Sequence, residues 1–192
     1  MRLRSNGWTW MVLAAVVTAG LVRAGPAAAQ ENAGEKILIR DLPMAEQVRL
    51  AKEAEARETE STDLFRQARG AEQTGEWGKA ADLYERSAEL RAEGDLMGAT
   101  GYALAGRAYF FDDRPGRASR VWQKAGNRAL IVGDVLAAAR NFVHAAVAAQ
   151  EKGDETRAVE LGWKAYYLSG SEALTSRERA MIRMHIQVTT PS

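Results

Sequence analysis

The sequence has no cysteine and only two histidines, and these absences exclude several kinds of protein. Without cysteine there is no disulfide framework, so packing alone must stabilise the fold. His144 and His185 lie far apart, and neither has the neighbouring ligands of a metal or catalytic site. No acidic run has calcium-loop spacing, and no glycine-rich loop follows a strand pattern. We therefore predict a protein that is not an enzyme and that binds no metal or cofactor.

Strand patterns are also missing, because no useful alternation of apolar and polar residues occurs after residue 40. Apolar and small residues instead recur at helical spacing, and glycine and proline separate these segments. Each of Asp95, Asp134 and Asp154 is predicted to cap the helix that follows it. The sequence therefore predicts an all-α fold of about seven or eight helices in antiparallel pairs.

The one long apolar run of the chain lies near its N-terminus, over residues 8–22. Arg2 and Arg4 precede it, and small residues up to Ala29 follow it, which is the arrangement of a secretory signal peptide. We expect residues 1–29 to be cleaved after Ala29 and the chain to be exported, most simply to a bacterial periplasm. Full secretion and an uncleaved membrane anchor are the alternatives, whereas a lipid-modified N-terminus is excluded because no cysteine follows.

The charge of the chain gives little reason to expect a nucleic-acid partner. The predicted signal peptide carries three of the 26 basic residues and no acidic one, which leaves 23 basic against 25 acidic residues. General binding to nucleic acid requires a basic surface, and this balance does not supply one. After cleavage we expect no transmembrane span, and the remaining length suits a single domain.

The segment that precedes the repeats is polar and highly charged. We interpret residues 30–42 as a flexible leader and residues 43–60 as an N-terminal helix, with Pro43 at its first position. Ser61, Thr62 and Asp63 could cap a new helix, or one helix could continue to Gln73. The pattern favours two helices, or one helix with a bend near residues 59–62.

Residues 61–168 contain three similar segments, each with a small-residue helix, a polar turn and a second helix. Ala80, Ala118 and Ala158 occupy the same place in the three segments, at intervals of 38 and 40 residues. Such a period is typical of a helical solenoid, in which stacked units bury a continuous core. Residues 169–192 would then form a capping helix and tail, opened by a capping box from Thr175 to Glu178.

These segments resemble the tetratricopeptide repeats, helix pairs with small and aromatic residues at intervals of one helical turn. The second segment matches the family's pattern best, with these residues: Tyr102, Ala105, Gly106, Tyr109, Ala118, Trp122 and Ala125. The chain departs from the family in its longer period, in the absence of a concluding proline, and at Gly162, where an aromatic residue is expected. The resemblance implies a short solenoid whose first helices line a concave surface.

That surface is where the resemblance places a binding site for a protein or peptide partner, possibly an acidic one. The residues that would line it are Phe65, Arg69, Arg107, Phe110, Arg140, Val143 and Val147. Arginines among apolar side chains suit a peptide with an acidic group. Alternatively, these arginines are solvated and pair with nearby acids such as Glu72 and Glu151.

Three functions therefore remain open. The first is an interaction module of the cell envelope that binds a peptide or partner subunit, and the second is a structural subunit that self-associates through residues 43–60. The third is an all-α periplasmic enzyme or small-ligand binder that uses Arg107, Phe110 and Phe111. Light scattering and co-purification would distinguish them.

Several large side chains are expected in the core rather than at a site. We predict that Trp77, Trp122 and Trp163 pack between helices, and that the last helix buries one face. The residues expected on that face are Ala180, Met181, Met184 and His185 or Val188. The methionines expected to fill the core are Met44, Met97, Met181 and Met184.

Overall fold

The computed structural model describes Arg40 and residues 42–189, with side chains described as far as residue 186. The predicted signal peptide, the cleavage site at Ala29 and most of the leader lie outside the described residues. The described part contains seven helices and no strand, which confirms the predicted all-α class. They are α1 (Met44–Gln73), α2 (Trp77–Leu90), α3 (Leu96–Phe111), α4 (Pro115–Ile131), α5 (Val135–Glu151), α6 (Glu155–Leu168) and α7 (Ser176–Thr189).

Helix α1 runs without a break to Gln73, as in the one-helix alternative, so the favoured break near residues 59–62 is wrong. The hydroxyls of Thr59 and Thr62 donate to carbonyls four residues earlier, which satisfies them inside a helix. Ser61 is buried and bonds to Ser87 of α2 instead of capping a new helix. Hydroxyl residues that resemble a cap in sequence therefore serve here as helix interior and as a cross-helix contact.

The chain divides into two compact units, and the first ends at Ala54. Its described part is the start of α1, where Arg49 pairs with Glu46 and Glu53 at one-turn spacing. Exposed pairs of this kind contribute only about 0.3–0.5 kcal/mol each. Met44 and Val48 are exposed, so this stretch has no apolar core of its own. The prediction that the methionines fill a core is wrong for Met44, as it is for Met97 and Met184 elsewhere.

The second unit begins at Glu55, and its helices pack against their neighbours in chain order. Alanine dominates the buried side chains, so helix backbones approach each other closely. Ala80, Ala118 and Ala158 are 0%, 0% and 3% exposed, which places the three predicted equivalents in one kind of contact. The last helix, α7, packs against both α5 and α6.

Helix ends follow the predicted capping chemistry. The carboxylates of Asp95, Asp134 and Asp154 accept bonds of 2.8–3.2 Å from backbone N–H groups in the first turns of α3, α5 and α6. Thr175 and Glu178 bond reciprocally just before α7, which confirms the capping box. These local signals fix where the helices begin, and hence which residues face each other across the helix pairs.

The buried face of α7 differs from the predicted one. Ile182 and Ile186 are buried together with Leu174 of the preceding loop, whereas Met184 and His185 are exposed. The face predicted for Met184 and the face used by Ile182 both contain apolar residues at helical spacing. Periodicity alone could not show which of the two faces is buried. The packing of α7 against α5 and α6 determines that it is the face of Ile182.

Candidate binding site

A cavity of about 380 Å³ lies between α1 and α3, with α2 beneath it. Such a volume is within the range of small-ligand and peptide side-chain pockets. The residues that line it are Phe65, Arg69, Glu72, Gln73, Trp77, Tyr84, Leu104 and Arg107. Three of the seven predicted site residues, Phe65, Arg69 and Arg107, are therefore brought together around one space.

The floor of the cavity is aromatic. The rings of Phe65 and Tyr84 meet edge to face with centroids 5.1 Å apart. Trp77, at the start of α2, is half-buried and contacts Phe111 at a centroid distance of 4.9 Å. Together with Leu104 these rings give a bound molecule an apolar surface against which it can lose water.

One acid and one arginine form a fixed pair on the wall. Glu72 accepts a hydrogen bond of 2.8 Å from the Tyr84 hydroxyl and also pairs with the guanidinium of Arg107. Burial raises the pKa of Tyr84, and the bond to the Glu72 carboxylate raises it further, so this hydroxyl remains a donor. For Arg107 the structure therefore shows the alternative considered above, an arginine paired with Glu72.

Arg69 differs from Arg107 in having no such acid. Within the described residues its side chain makes no hydrogen bond or ion pair, and it is exposed at the edge of the cavity. Its charge acts on the floor, because it opposes the rise in the pKa of Tyr84. The cavity thus combines an apolar floor, one neutralised arginine and one arginine that is available to an anion.

The other four predicted site residues lie away from this cavity. Phe110 contacts Trp122 of α4 at a centroid distance of 5.7 Å, and Val143 is only 5% exposed. Val147 is half-buried, whereas Arg140 is exposed on α5. The expected groove of seven residues is therefore represented by one cavity with three of them, and by a separate aromatic contact at Phe110.

That second contact includes His144. Its ring stacks on Trp122 with centroids 5.2 Å apart and planes 30° from parallel. Desolvation lowers the pKa of His144, and the nearby charges of His185 and Arg140 lower it further. The ring of His144 is thus in packing contact with the indole of Trp122.

Sequence reasoning identified Glu72 only as an acid near the arginines and assigned Trp77 to packing between helices. It missed Gln73, Tyr84 and Leu104 as lining residues. A signal existed for part of this set, because Arg69, Glu72 and Gln73 fall at positions i, i+3 and i+4 and share one helix face. Nothing in the sequence marks Leu104, which joins the site only because α3 packs beside α1.

A third group of aromatic rings lies on α6. Trp163 is 53% exposed, so the prediction that it packs between helices is wrong, while Trp122 is buried as predicted. Trp163 contacts Tyr166 and Tyr167 at centroid distances of 5.5 and 6.0 Å. These three residues are called the terminal aromatic patch below.

Across the described residues, no group of three or more histidine or acidic side chains could hold a metal ion. In the same part of the chain, no helix is both long and apolar enough to span a membrane. Comparison with known proteins adds no further assignment, since no family model, no curated protein and no solved structure matches the chain.

Proposed function

We propose that the chain is a non-enzymatic, exported protein of the tetratricopeptide-like kind that binds an acidic peptide segment of a partner in the α1–α3 cavity. In this proposal the helix pairs form a short solenoid, and α7 closes its C-terminal end. The observation that carries the proposal is the cavity itself, where Arg69 lies at the edge of an aromatic floor and pairs with no acid among the described residues.

The chemistry of the cavity favours a ligand with both an apolar and an anionic group. The rings of Phe65 and Tyr84 would cover an apolar side chain, and Arg69 would hold a carboxylate next to it. A charge-assisted hydrogen bond of this kind contributes about 1.5–3 kcal/mol. Glu72 acts against the same ligand, since it occupies Arg107 and places a negative charge on the wall.

A pair of labelled peptides tests this proposal. One peptide alternates leucine and glutamate, and the other has glutamine in place of every glutamate; fluorescence polarisation measures their binding to the purified protein. We expect the acidic peptide to bind more tightly. Arg69→Gln should weaken its binding about tenfold or more, because the charge-assisted bond is lost.

Two further variants make the result specific. Arg66→Gln is the matched control, since Arg66 lies on the same helix, is exposed and pairs with Asp63 outside the cavity. It should bind the acidic peptide like the unmodified protein. Glu72→Gln should bind it more tightly, because Arg107 is released. Equal binding of the two peptides, or an equal effect of Arg66→Gln and Arg69→Gln, would contradict the proposal.

Export has its own test, independent of the cavity. We propose that residues 1–29 direct the chain across the inner membrane and are removed, on the basis of the basic start, apolar run and small residues of that segment. Intact-mass measurement of the protein from an envelope fraction should give a chain that begins at Gln30. A chain that retains residues upstream of Ala24 would contradict cleavage.

A further inference from the structure

The second helices of successive pairs, α2, α4 and α6, contact each other through equivalent positions. Between α2 and α4, the carboxylate of Glu85 accepts bonds from Lys124 at 2.8 Å and from Arg117 at 3.2 Å. Between α4 and α6, Arg157 donates to Gln123 at 2.5 Å and to Ser119 at 3.2 Å. At both junctions a cation of the following helix meets a polar residue of the preceding one.

The equivalent positions on α6 are found by counting the same number of residues from Ala80, Ala118 and Ala158. Trp163 is equivalent to Glu85 and Gln123, and Tyr167 is equivalent to Glu89 on α2, which lies 3.6 Å from Lys124. Within residues 42–189, α6 has no following second helix, because α7 packs on α5 and α6 as a single helix. Trp163 and Tyr167 are accordingly 53% and 75% exposed.

Two cationic side chains lie next to the terminal aromatic patch. The guanidinium of Arg183 on α7 lies 5.6 Å from the ring centroid of Tyr166. Lys164, which follows Trp163 in the chain, forms an ion pair of 2.7 Å with Glu160. Elsewhere the chain uses the same chemistry between helices, where Lys124 and Arg128 of α4 lie 5.3 and 5.5 Å from the ring of Tyr102. The patch therefore presents both partners of a cation–aromatic contact on one surface.

We infer that the terminal aromatic patch is the interface of a dimer with two-fold symmetry, and that its occupant is a second copy of this chain. A two-fold interface brings one surface against itself, so it requires a self-complementary surface. Trp163 and Tyr167 supply the aromatic faces, and Arg183 of the second copy supplies a cation for them. The Glu160–Lys164 pair balances its own charge, so this part of the surface does not repel its copy.

The dimer also completes what the fold leaves open. Exposed Trp and Tyr rings in contact with each other are the residue types that concentrate in interface centres, where they bury large areas at low entropic cost. On α2 and α4, the equivalent face is covered by the next second helix in the chain. On α6, a second copy would cover this face. The surface that self-associates is then at the end of the helix pairs, and it differs from the charged segment 43–60 considered above.

Light scattering of the purified protein over a range of concentrations tests the dimer. We expect twice the chain mass at high concentration, and a Trp163→Glu/Tyr167→Glu variant that is monomeric, with a dissociation constant raised about a hundredfold or more. Ile131→Glu is the matched control, because Ile131 is an equally exposed apolar residue on α4. It should dimerise normally. A monomer at all concentrations, or a dimer that survives in the double variant, overturns the inference.

The absence of cysteine allows a direct test of the symmetry. A single Glu160→Cys variant should be joined to its own copy by a short bismaleimide, because a two-fold axis near the patch brings the two positions together. Gln150→Cys, exposed at the end of α5, should not be joined. Crosslinking through Gln150→Cys but not through Glu160→Cys would show a different interface and overturn the two-fold arrangement.

Two other occupants are distinguished in the same experiments. Anionic phospholipid vesicles that bind a monomeric protein, and lose it in the Trp163→Glu/Tyr167→Glu variant, would identify a membrane surface and overturn the dimer. The dimer is also independent of the proposed peptide cavity. Arg69→Gln should leave the dimer intact, and the patch variants should keep their affinity for the acidic peptide, so failure of one proposal does not imply failure of the other.

Discussion

The space between α1 and α3 and the space between α3 and α5 have equivalent positions in the chain but different contents. In the first space Tyr84 forms the floor and a cavity remains above it. In the second space the equivalent residue, Trp122, contacts Phe110 of α3 and His144 of α5 with its ring. The same helix arrangement therefore gives an open cavity in one place and a packed aromatic contact in the other.

The size of two residues explains much of this difference. A Cβ atom added to Gly106 would lie 2.7 Å from the indole of Trp122, so glycine provides the room that the larger ring needs. The indole N–H of Trp122 then donates to the carbonyl of Ala103 at 3.1 Å, which anchors the ring beneath α3. In the first space the equivalent of Gly106 is Ala68, and the smaller ring of Tyr84 is held by Glu72. Local residue size, rather than the helix arrangement, decides which space can accept a ligand.

The largest expected effect comes from a substitution that disrupts the helix packing on which both spaces depend. Ala118→Glu places a carboxylate at a fully buried contact, where overpacking and an unpaired charge together should destabilise the fold by about 5 kcal/mol or more. Ala92→Glu, at an exposed position after α2, should change stability by less than about 0.5 kcal/mol. Chemical denaturation followed by circular dichroism measures both. Similar midpoints for the two variants would show that the equivalence of Ala80, Ala118 and Ala158 is wrong.

The second effect acts on the packed space alone. Trp122 is 7% exposed, and Trp122→Ala should lower the free energy of unfolding by about 3–5 kcal/mol because it removes a large buried ring. Binding of the acidic peptide to the folded variant should be unchanged, since Trp122 does not line the α1–α3 cavity. Ile131→Ala is the exposed apolar control. Loss of peptide binding in folded Trp122→Ala would mean that the two spaces are coupled.

The third effect concerns the junction of α2 and α4 and depends on pH. Burial alone raises the pKa of Glu85, but bonds from Lys124, Tyr109 and Arg117 outweigh it, and the pKa of Glu85 is lowered. A lowered pKa in the folded state means that the stabilisation is present above the ordinary value of 4.5 and is lost as pH falls below it. Glu85→Gln should therefore destabilise the protein by about 1.5–3 kcal/mol at pH 7.

Denaturation of Glu85→Gln and the unmodified protein at a series of pH values checks this expectation. The difference between their free energies of unfolding should shrink as the pH falls below about 4.5, because Glu85 then binds a proton in the unfolded chain before it does so in the folded protein, and it should be lost below the lowered pKa of folded Glu85. Glu160→Gln is the control, because Glu160 is exposed and its ion pair is with Lys164, one turn away on the same helix. A difference that stays constant from pH 7 to the acid limit would show that the ionised carboxylate of Glu85 does not contribute.

Features that depend on local chemistry could be predicted from the sequence, whereas features that depend on contacts between three helices could not. Asp95, Asp134 and Asp154 cap helices as predicted, because a cap needs only its own first turn. The continuity of α1 was one of two alternatives and not the favoured one, since Ser61 and Thr62 are compatible with a cap and with a helix interior. Their actual bonding depends on the position of α2.

The same limit applies to the candidate site. Phe65, Arg69 and Arg107 were predicted to lie on one surface, and they line one cavity because the repeat spacing aligns α1 with α3. The sequence could not show that Phe110 and Val143 lie outside this cavity, since all five residues lie on the first helix of a pair. Their separation arises from the ring of Trp122, whose effect requires knowledge of Gly106 and His144 on two other helices.

The smallest effect compares the hydroxyls of two buried tyrosines. Tyr84→Phe keeps the ring and its contact with Phe65 but removes the 2.8 Å bond to Glu72, so it should cost about 0.5–1.5 kcal/mol. Tyr109→Phe should cost more, because that hydroxyl shares its one proton between two carboxylates, Asp82 at 2.6 Å and Glu85 at 2.9 Å. Denaturation of the two variants in parallel gives the difference directly.

The same variant sharpens the account of the cavity. In Tyr84→Phe, Glu72 loses one of its two donors but keeps Arg107, so its negative charge remains on the wall. Affinity for the acidic peptide should therefore change much less than in Glu72→Gln, where the charge itself is removed. If Tyr84→Phe instead tightened binding as strongly as Glu72→Gln, the position in which the Tyr84 hydroxyl holds the Glu72 carboxylate would be what opposes the anion. The α1–α3 cavity would then select its ligand by the position of Glu72 rather than by its charge.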